Sequence, residues 1–170
     1  MVNEDKSLKA LQLDSIDIAR SPELFKQIEA SEALSDLDGG EIKYLAGCLR
    51  AYTVPARTVL FREGEPASYM GMVLAGRLVV TKRNDEDAGK PLYAMSEGKV
   101  FGEMAMLDGE PRSATMMAAV DASIAVLSRD EFERLCRERP IIALKLLRRL
   151  GRLLSQRLRR ASGLLVDYLP

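Results

Sequence analysis

Residues 101–118, FGEMAMLDGEPRSATMMA, bring a glycine, a carboxylate, a small-residue turn and then Pro-Arg-Ser into one short segment. Each has a use if the ligand is a cyclic phosphodiester on ribose. Gly102 lets the backbone approach closely, and the amides of Gly102, Glu103, Met104 and Ala105 would open one turn of helix whose N-terminus attracts an anion. Arg112 offers a planar fork to a singly charged phosphate, in charge-assisted hydrogen bonds worth about 1.5–3 kcal/mol each. Ser113 adds a hydroxyl beside it, and Ala114-Thr115 follow. Glu103 is a poor neighbour for phosphate but a good acceptor for a ribose 2′-hydroxyl, because an ionised carboxylate accepts and cannot donate. It also disfavours a 5′-monophosphate, which would bring a second negative charge towards it.

Taken singly, these residues say little. A Gly-Glu pair has no chemistry of its own, and an arginine after proline is usually part of a solvated turn; the information lies in the spacing. Composition narrows the alternatives. The 170 residues contain no histidine, which excludes Ser-His-Asp triads, Cys-His pairs and His-ligated metals, and with them a metal-dependent barrel enzyme. The two cysteines, Cys48 and Cys136, lie in helix-like apolar patterns and read as buried free thiols. No enzyme activity, cofactor or metal is expected.

Lysine plus arginine and aspartate plus glutamate number 25 each, so no net field favours nucleic acid or a membrane. The charge is unevenly spread: residues 1–50 lean acidic, whereas over residues 140–170 Asp167 alone opposes seven basic residues. No run approaches the roughly 18 apolar residues of a membrane helix, and the N-terminus lacks a cationic-then-apolar leader, which places the chain in the cytoplasm.

The elements that must position the segment follow from periodicity. Residues 1–20 show no clear period and read as a loosely held arm. Ser21-Pro22-Glu23 looks like a helix start, Asp38-Gly39-Gly40 like a break, and Ile42, Leu45, Ala46 and Leu49 like a second short helix, giving a helical element over 21–50. From 51 to 128 short β-branched runs alternate with turn residues, predicting eight antiparallel strands near 52–55, 58–62, 69–75, 77–83, 91–96, 99–101, 113–119 and 122–128, with a charged hairpin tip over 84–90. Many short, closely spaced strands suggest a jelly-roll. Met116 and Met117 read as strand and core filling. Residues 129–170 predict two helices separated at Pro140, the second carrying a stripe of Ile141, Leu144, Leu147, Leu150, Leu154 and Leu158 interrupted at Gly151. That stripe packs on the barrel or pairs with a second copy.

The 101–118 segment resembles the phosphate-binding cassette of cyclic nucleotide-binding domains, matching Phe-Gly-Glu, the apolar-Ala-apolar stretch and Pro-Arg-Ser-Ala-Thr. Residues 58–65 and 74–78 resemble the family's early strands, so the likeness runs over roughly 22–160. It implies a mainly β fold: an eight-stranded jelly-roll flanked by N-terminal helices and two C-terminal helices that move as hinge and lid. It also implies a non-catalytic receptor for cAMP, or cGMP, that signals to a protein partner. By position, Glu103 would meet the ribose, residues 102–105 and Arg112 the phosphate, and Ser113 either phosphate or a syn guanine. Arg152 or Arg157 is expected to cap the base. The family's transcription factors add a helix-turn-helix, for which the residues after this helix are too few, so sequence-specific DNA binding is not expected. Arg57 stands where relatives often carry glycine in the first hairpin, and Met104 and Met106 replace common leucines. The contrasting possibility is an interaction protein that kept the barrel and lost the ligand.

Overall fold

The computed structural model describes residues 6–82 and 90–166. The charged turn expected over 84–90 falls, apart from Lys90, outside these residues.

Two antiparallel sheets form the body. The strands are β1 (Ser15–Asp17), β2 (Arg50–Val54), β3 (Val59–Phe61), β4 (Tyr69–Ala75), β5 (Leu78–Lys82), β6 (Lys90–Met95), β7 (Val100–Phe101), β8 (Thr115–Ala118) and β9 (Ala122–Ser128). They are ordered β1-β2-β9-β4-β7 in one sheet and β3-β8-β5-β6 in the other. The jelly-roll is therefore as expected, but nine strands are present among the described residues. The additional one, β1, comes from the supposed arm: Ser15 pairs with Tyr52 and Asp17 with Arg50. Leu8 and Ile18 are fully buried, so the segment from Leu8 onward is anchored rather than loose. The reason is long-range pairing, which local periodicity does not report.

Among the described residues six α-helices complete the fold: α1 (Lys6–Ala10), α2 (Pro22–Glu29), α3 (Gly39–Ala46), α4 (Glu103–Asp108), α5 (Arg129–Glu138) and α6 (Pro140–Val166). Ser21 caps α2 as expected, its hydroxyl accepting from the Leu24 amide. Asp38-Gly39-Gly40 does not break the chain. Asp38 is the N-cap of α3, its carboxylate accepting from the Glu41 amide while Glu41 accepts from the Asp38 amide, and the glycines form the first helical turn. Gly151 likewise does not interrupt α6, which runs on unbroken.

The five-stranded sheet is buried on both faces. Along β4, Tyr69 and Val73 point into the sandwich, where they join Tyr52, Leu78, Val80, Phe101, Ile124 and Val126. Met70, Met72 and Leu74 point outward onto a second core shared with Ile28, Leu45, Leu135, Leu146 and Leu150 of the helices. A strand covered on both sides has no polar face to show, which explains the unbroken apolar run YMGMVLA. The first half of α6 lies in this second core.

The face α6 uses differs from the expected stripe. Ile142, Ala143, Leu146 and Leu150 are buried, whereas Ile141, Leu144 and Leu158 are exposed. Around that seam, the uneven charge of the sequence resolves into ion pairs between the chain's two ends: Lys145 with Glu41 at 2.7 Å, Arg149 with Glu32 at 2.6 Å, and Arg152 with Asp36. Cys48 and Cys136 are free; Cys48 is buried, its thiol pushed up to about 11 chiefly by loss of solvation, while Cys136 is only partly covered. No helix among the described residues is long and apolar enough to cross a membrane.

The first hairpin accommodates Arg57 directly. The residue adopts a left-handed backbone, φ +68°, and its amide donates to Ala118 O at 2.8 Å. The turn keeps the conformation a glycine would supply, at a steric cost of about 1–2 kcal/mol.

Candidate functional site

One cavity of about 590 Å³ opens at the end of the sandwich against α4 and the second half of α6. That volume suits a small-molecule ligand. Its lining includes Gly102, Glu103, Met104, Ala105, Arg112, Ser113 and Ala114, so all seven sequence-identified cassette residues meet there.

The turn after β7 makes this convergence possible. Gly102 has a left-handed φ of +69°, and a Cβ on it would lie 2.4 Å from Arg112 Nη1. The left-handed backbone favours glycine in itself, and a side chain here would also press on the arginine that crosses it. Arg112 Nη1 donates to Gly102 O at 3.2 Å and Nη2 to Tyr69 O at 2.7 Å. Its guanidinium lies over the Phe61 ring at 4.0 Å and near the Tyr69 ring at 4.6 Å. The peptide groups on either side of Arg112 pin its loop: the Arg112 amide donates to Glu65 O and the Gly64 amide to Arg112 O. At 3% exposure, Arg112 bolts this loop in place as well as lining the cavity.

Glu103 is 4% exposed and opens α4. Its carboxylate accepts from Arg157 Nη1, and Arg157 Nη2 donates to Val100 O at 2.7 Å. Burial nevertheless raises the Glu103 pKa from its ordinary value; the loss of solvation outweighs the opposing pull of Arg157 and Arg112. The cavity thus contains a buried cation and a buried anion, the anion already clasped by α6.

Of the two arginines expected over a base, the structure brings only Arg157 to the cavity. Arg152 pairs with Asp36 and donates to Arg148 O, on the side of α6 that faces the N-terminal helices. Ser113 lines the cavity, with Met104 Sδ at 4.0 Å from its hydroxyl. Met104 is exposed whereas Met106 is buried, so of the two methionines only Met106 fills the core.

Several lining residues escaped the sequence reading. Phe61, Val80, Met95 and Phe101 form an apolar inner wall, Tyr93 stands at its rim, and Leu154, Leu158 and Ala161 of α6 cover it. Arg129 is also absent from any motif, yet its guanidinium donates to Ala67 O at 3.2 Å and Ala105 O at 3.0 Å. It ties the backbone of α4 to the start of α5. Its place just after a strand is the sole sequence signal, and that is not specific.

A jelly-roll whose end carries a buried arginine, a buried glutamate and a helical cover is the architecture of a nucleotide-binding module. The chain belongs to the cyclic nucleotide-binding domain family, whose model matches residues 52–139. A cyclic nucleotide-gated potassium channel of Mesorhizobium japonicum is 43% identical over 95 residues, 56% of this chain and 25% of the channel. A cAMP-dependent protein kinase regulatory subunit of Aspergillus niger is 33% identical over 108 residues, 64% of this chain and 26% of that protein. The chain thus spans about a quarter of the length of these two relatives. Among solved structures, a cyclic nucleotide-binding domain from Methylobacillus flagellatus superposes with a TM-score of 0.87 at 27% identity, covering 99% of this chain and 98% of that one.

Proposed function

We propose that the chain is a regulatory receptor for a 3′,5′-cyclic nucleotide, with cAMP as its ligand and cGMP as the nearest competitor. The observation that carries this reading is the meeting, in one cavity, of Glu103 and Arg112, oppositely charged and both almost wholly buried. Each already has contacts within the chain, Glu103 with Arg157 and Arg112 with the carbonyls of Gly102 and Tyr69, and a ribose phosphate brings to the same cavity a donor for the carboxylate and an anion for the guanidinium. The ribose 2′-hydroxyl donates to Glu103. The cyclic phosphate rests on the amides of residues 102–105, on Arg112 and on the Ser113 hydroxyl, with Ala114 alongside. The base extends beneath α6.

Arg157 supplies the route out of the site. In the structure it holds Glu103. A ribose arriving at the same carboxylate competes for that contact, so occupancy changes what holds the second half of α6 in place. The ligand shifts the equilibrium by its difference in affinity for the two arrangements.

The reading also extends to the cytoplasm, in keeping with two free thiols, and to a protein partner downstream. Exposed Ile141, Leu144 and Leu158 on α6 support a second copy of the chain as one such partner.

Calorimetric titration with cAMP, cGMP and AMP is the test, with light scattering on the same sample for the dimer. Saturable binding of a cyclic nucleotide is expected, with AMP rejected because its second negative charge approaches Glu103. No heat from either cyclic nucleotide at millimolar concentration would leave a jelly-roll interaction protein that has lost its ligand.

A further inference from the structure

The cavity has two chemically different ends. One holds Gly102, Arg112 and Ser113; the other is walled by Val80 of β5, Tyr93 and Met95 of β6, and Leu154 and Leu158 of α6. That second end is largely apolar; Tyr93 brings a hydroxyl to its sheet side, and Ser155 and Arg157 bring polar groups along α6.

Strand geometry aims that side chain. Side chains two apart on a strand share a face, and Met95 lies buried in the sandwich interior. Tyr93 points to the same side, paired across the ladder with Val80, another interior residue. Because β6 is an edge strand, Tyr93 sits at the mouth rather than in the core and is 51% exposed. Its hydroxyl makes no hydrogen bond to another described residue. The phenol also feels the Arg157 and Glu103 charges, and its pKa is raised, first by loss of solvation. Tyr93, Glu103 and Arg157 line the same cavity.

We infer that Tyr93 is a specificity-determining residue, its hydroxyl meeting the outer edge of a purine base held between β6 and α6. The inference rests on the reading of this cavity as a cyclic-nucleotide site. A phenol both donates and accepts, so it can serve a ring nitrogen or an exocyclic group of either purine. The smaller ring of a pyrimidine, fixed at the same ribose and phosphate, stops short of it. Tyr93 thus selects for base size and edge, and leaves the choice between adenine and guanine to other groups.

Calorimetry of the wild type and Tyr93→Phe with cAMP and with 3′,5′-cyclic CMP tests this. Loss of one net hydrogen bond should weaken cAMP binding about three- to tenfold and leave cyclic CMP unchanged, so the purine preference narrows by the same factor. Tyr93→Leu, which also removes the ring, should lose more. A second readout separates contact from support. The ultraviolet titration of tyrosine ionisation should show one phenol shifted upward by saturating cAMP in the wild type, and no such step in Tyr93→Phe. Equal cAMP affinity in both proteins overturns the assignment to Tyr93 alone. A wild type that binds neither nucleotide overturns it together with the receptor reading.

Discussion

The two halves of α6, on either side of Gly151, are held by different physics. Before it, Ile142, Ala143, Leu146 and Leu150 enter the core between the helices and the five-stranded sheet, with Lys145 and Arg149 clasping Glu41 and Glu32. After it, Leu153 packs on that core and Arg152 reaches Asp36, while Leu154, Leu158 and Ala161 cover an open cavity and Arg157 bonds to Glu103. The first half is attached by burial, which is non-directional and always present. The second half is attached largely by polar contacts, one of which a ligand can contest. One continuous helix thus joins a fixed segment to a releasable one.

The largest effect that separates the halves comes from their leucines. Leu150 is 1% exposed and Leu158 68% exposed. Leu150→Ala should destabilise the domain by about 2–5 kcal/mol, as for other buried leucines. Leu158→Ala should stay within about 0.5 kcal/mol. Denaturant unfolding of both variants checks this, and similar losses would mean that the second half is packed as firmly as the first.

The arginines give a smaller contrast. Arg149 pairs with a largely exposed Glu32, and Arg149→Ala should cost about 1 kcal/mol or less. Arg157→Ala instead strands a buried carboxylate, at about 1–3 kcal/mol. The two losses should respond differently to pH. Glu103 already has a pKa raised by burial, and removing Arg157 raises it further. A group whose folded pKa lies above its unfolded value contributes stability below the unfolded pKa and loses it as pH rises through the folded one. The Arg157→Ala deficit should therefore be full near neutrality and shrink on acidification through the raised Glu103 range. Unfolding midpoints measured against pH would show it, and a flat deficit would mean that Glu103 finds another partner.

These assignments also show what a linear sequence carries. The cassette could be read because its parts are contiguous: Glu103, Arg112 and Ser113 act through local spacing, and the turn residues between them declare themselves. The strands of the four-stranded sheet, the start of α2 and both ends of α5 could be read from period and caps. The face of α6 could not. Apolar residues occur at 141, 142, 144 and 146, so more than one helical face is hydrophobic and the period alone cannot choose between them. The acidic and basic ends were visible as an imbalance, but which carboxylate meets which arginine depends on how α6 crosses α3 and the turn at Glu32–Leu34. Nothing near Arg112 in sequence shows that Tyr69 O orients its guanidinium. Arg112→Ala, which from sequence alone looks like a clean binding variant, should damage the fold as well.

The smallest effect tests the boundary itself. Gly151 lies inside a helix, is exposed, and has nothing beyond the backbone of its own helix within 4 Å of where a Cβ would stand. Nothing in the fold requires glycine there. Gly151→Ala should raise stability by about 0.5–1 kcal/mol, the usual difference between these residues in a helix interior. A glycine kept at that cost suits a joint, because it lets the second half of α6 bend away from the first when the Arg157 contact with Glu103 is exchanged for ribose. Stiffening the joint should then weaken cAMP binding even as the unfolding midpoint rises. If both stability and affinity are gained or left alone, α6 moves as one rod, and the distinction between its halves is one of packing only.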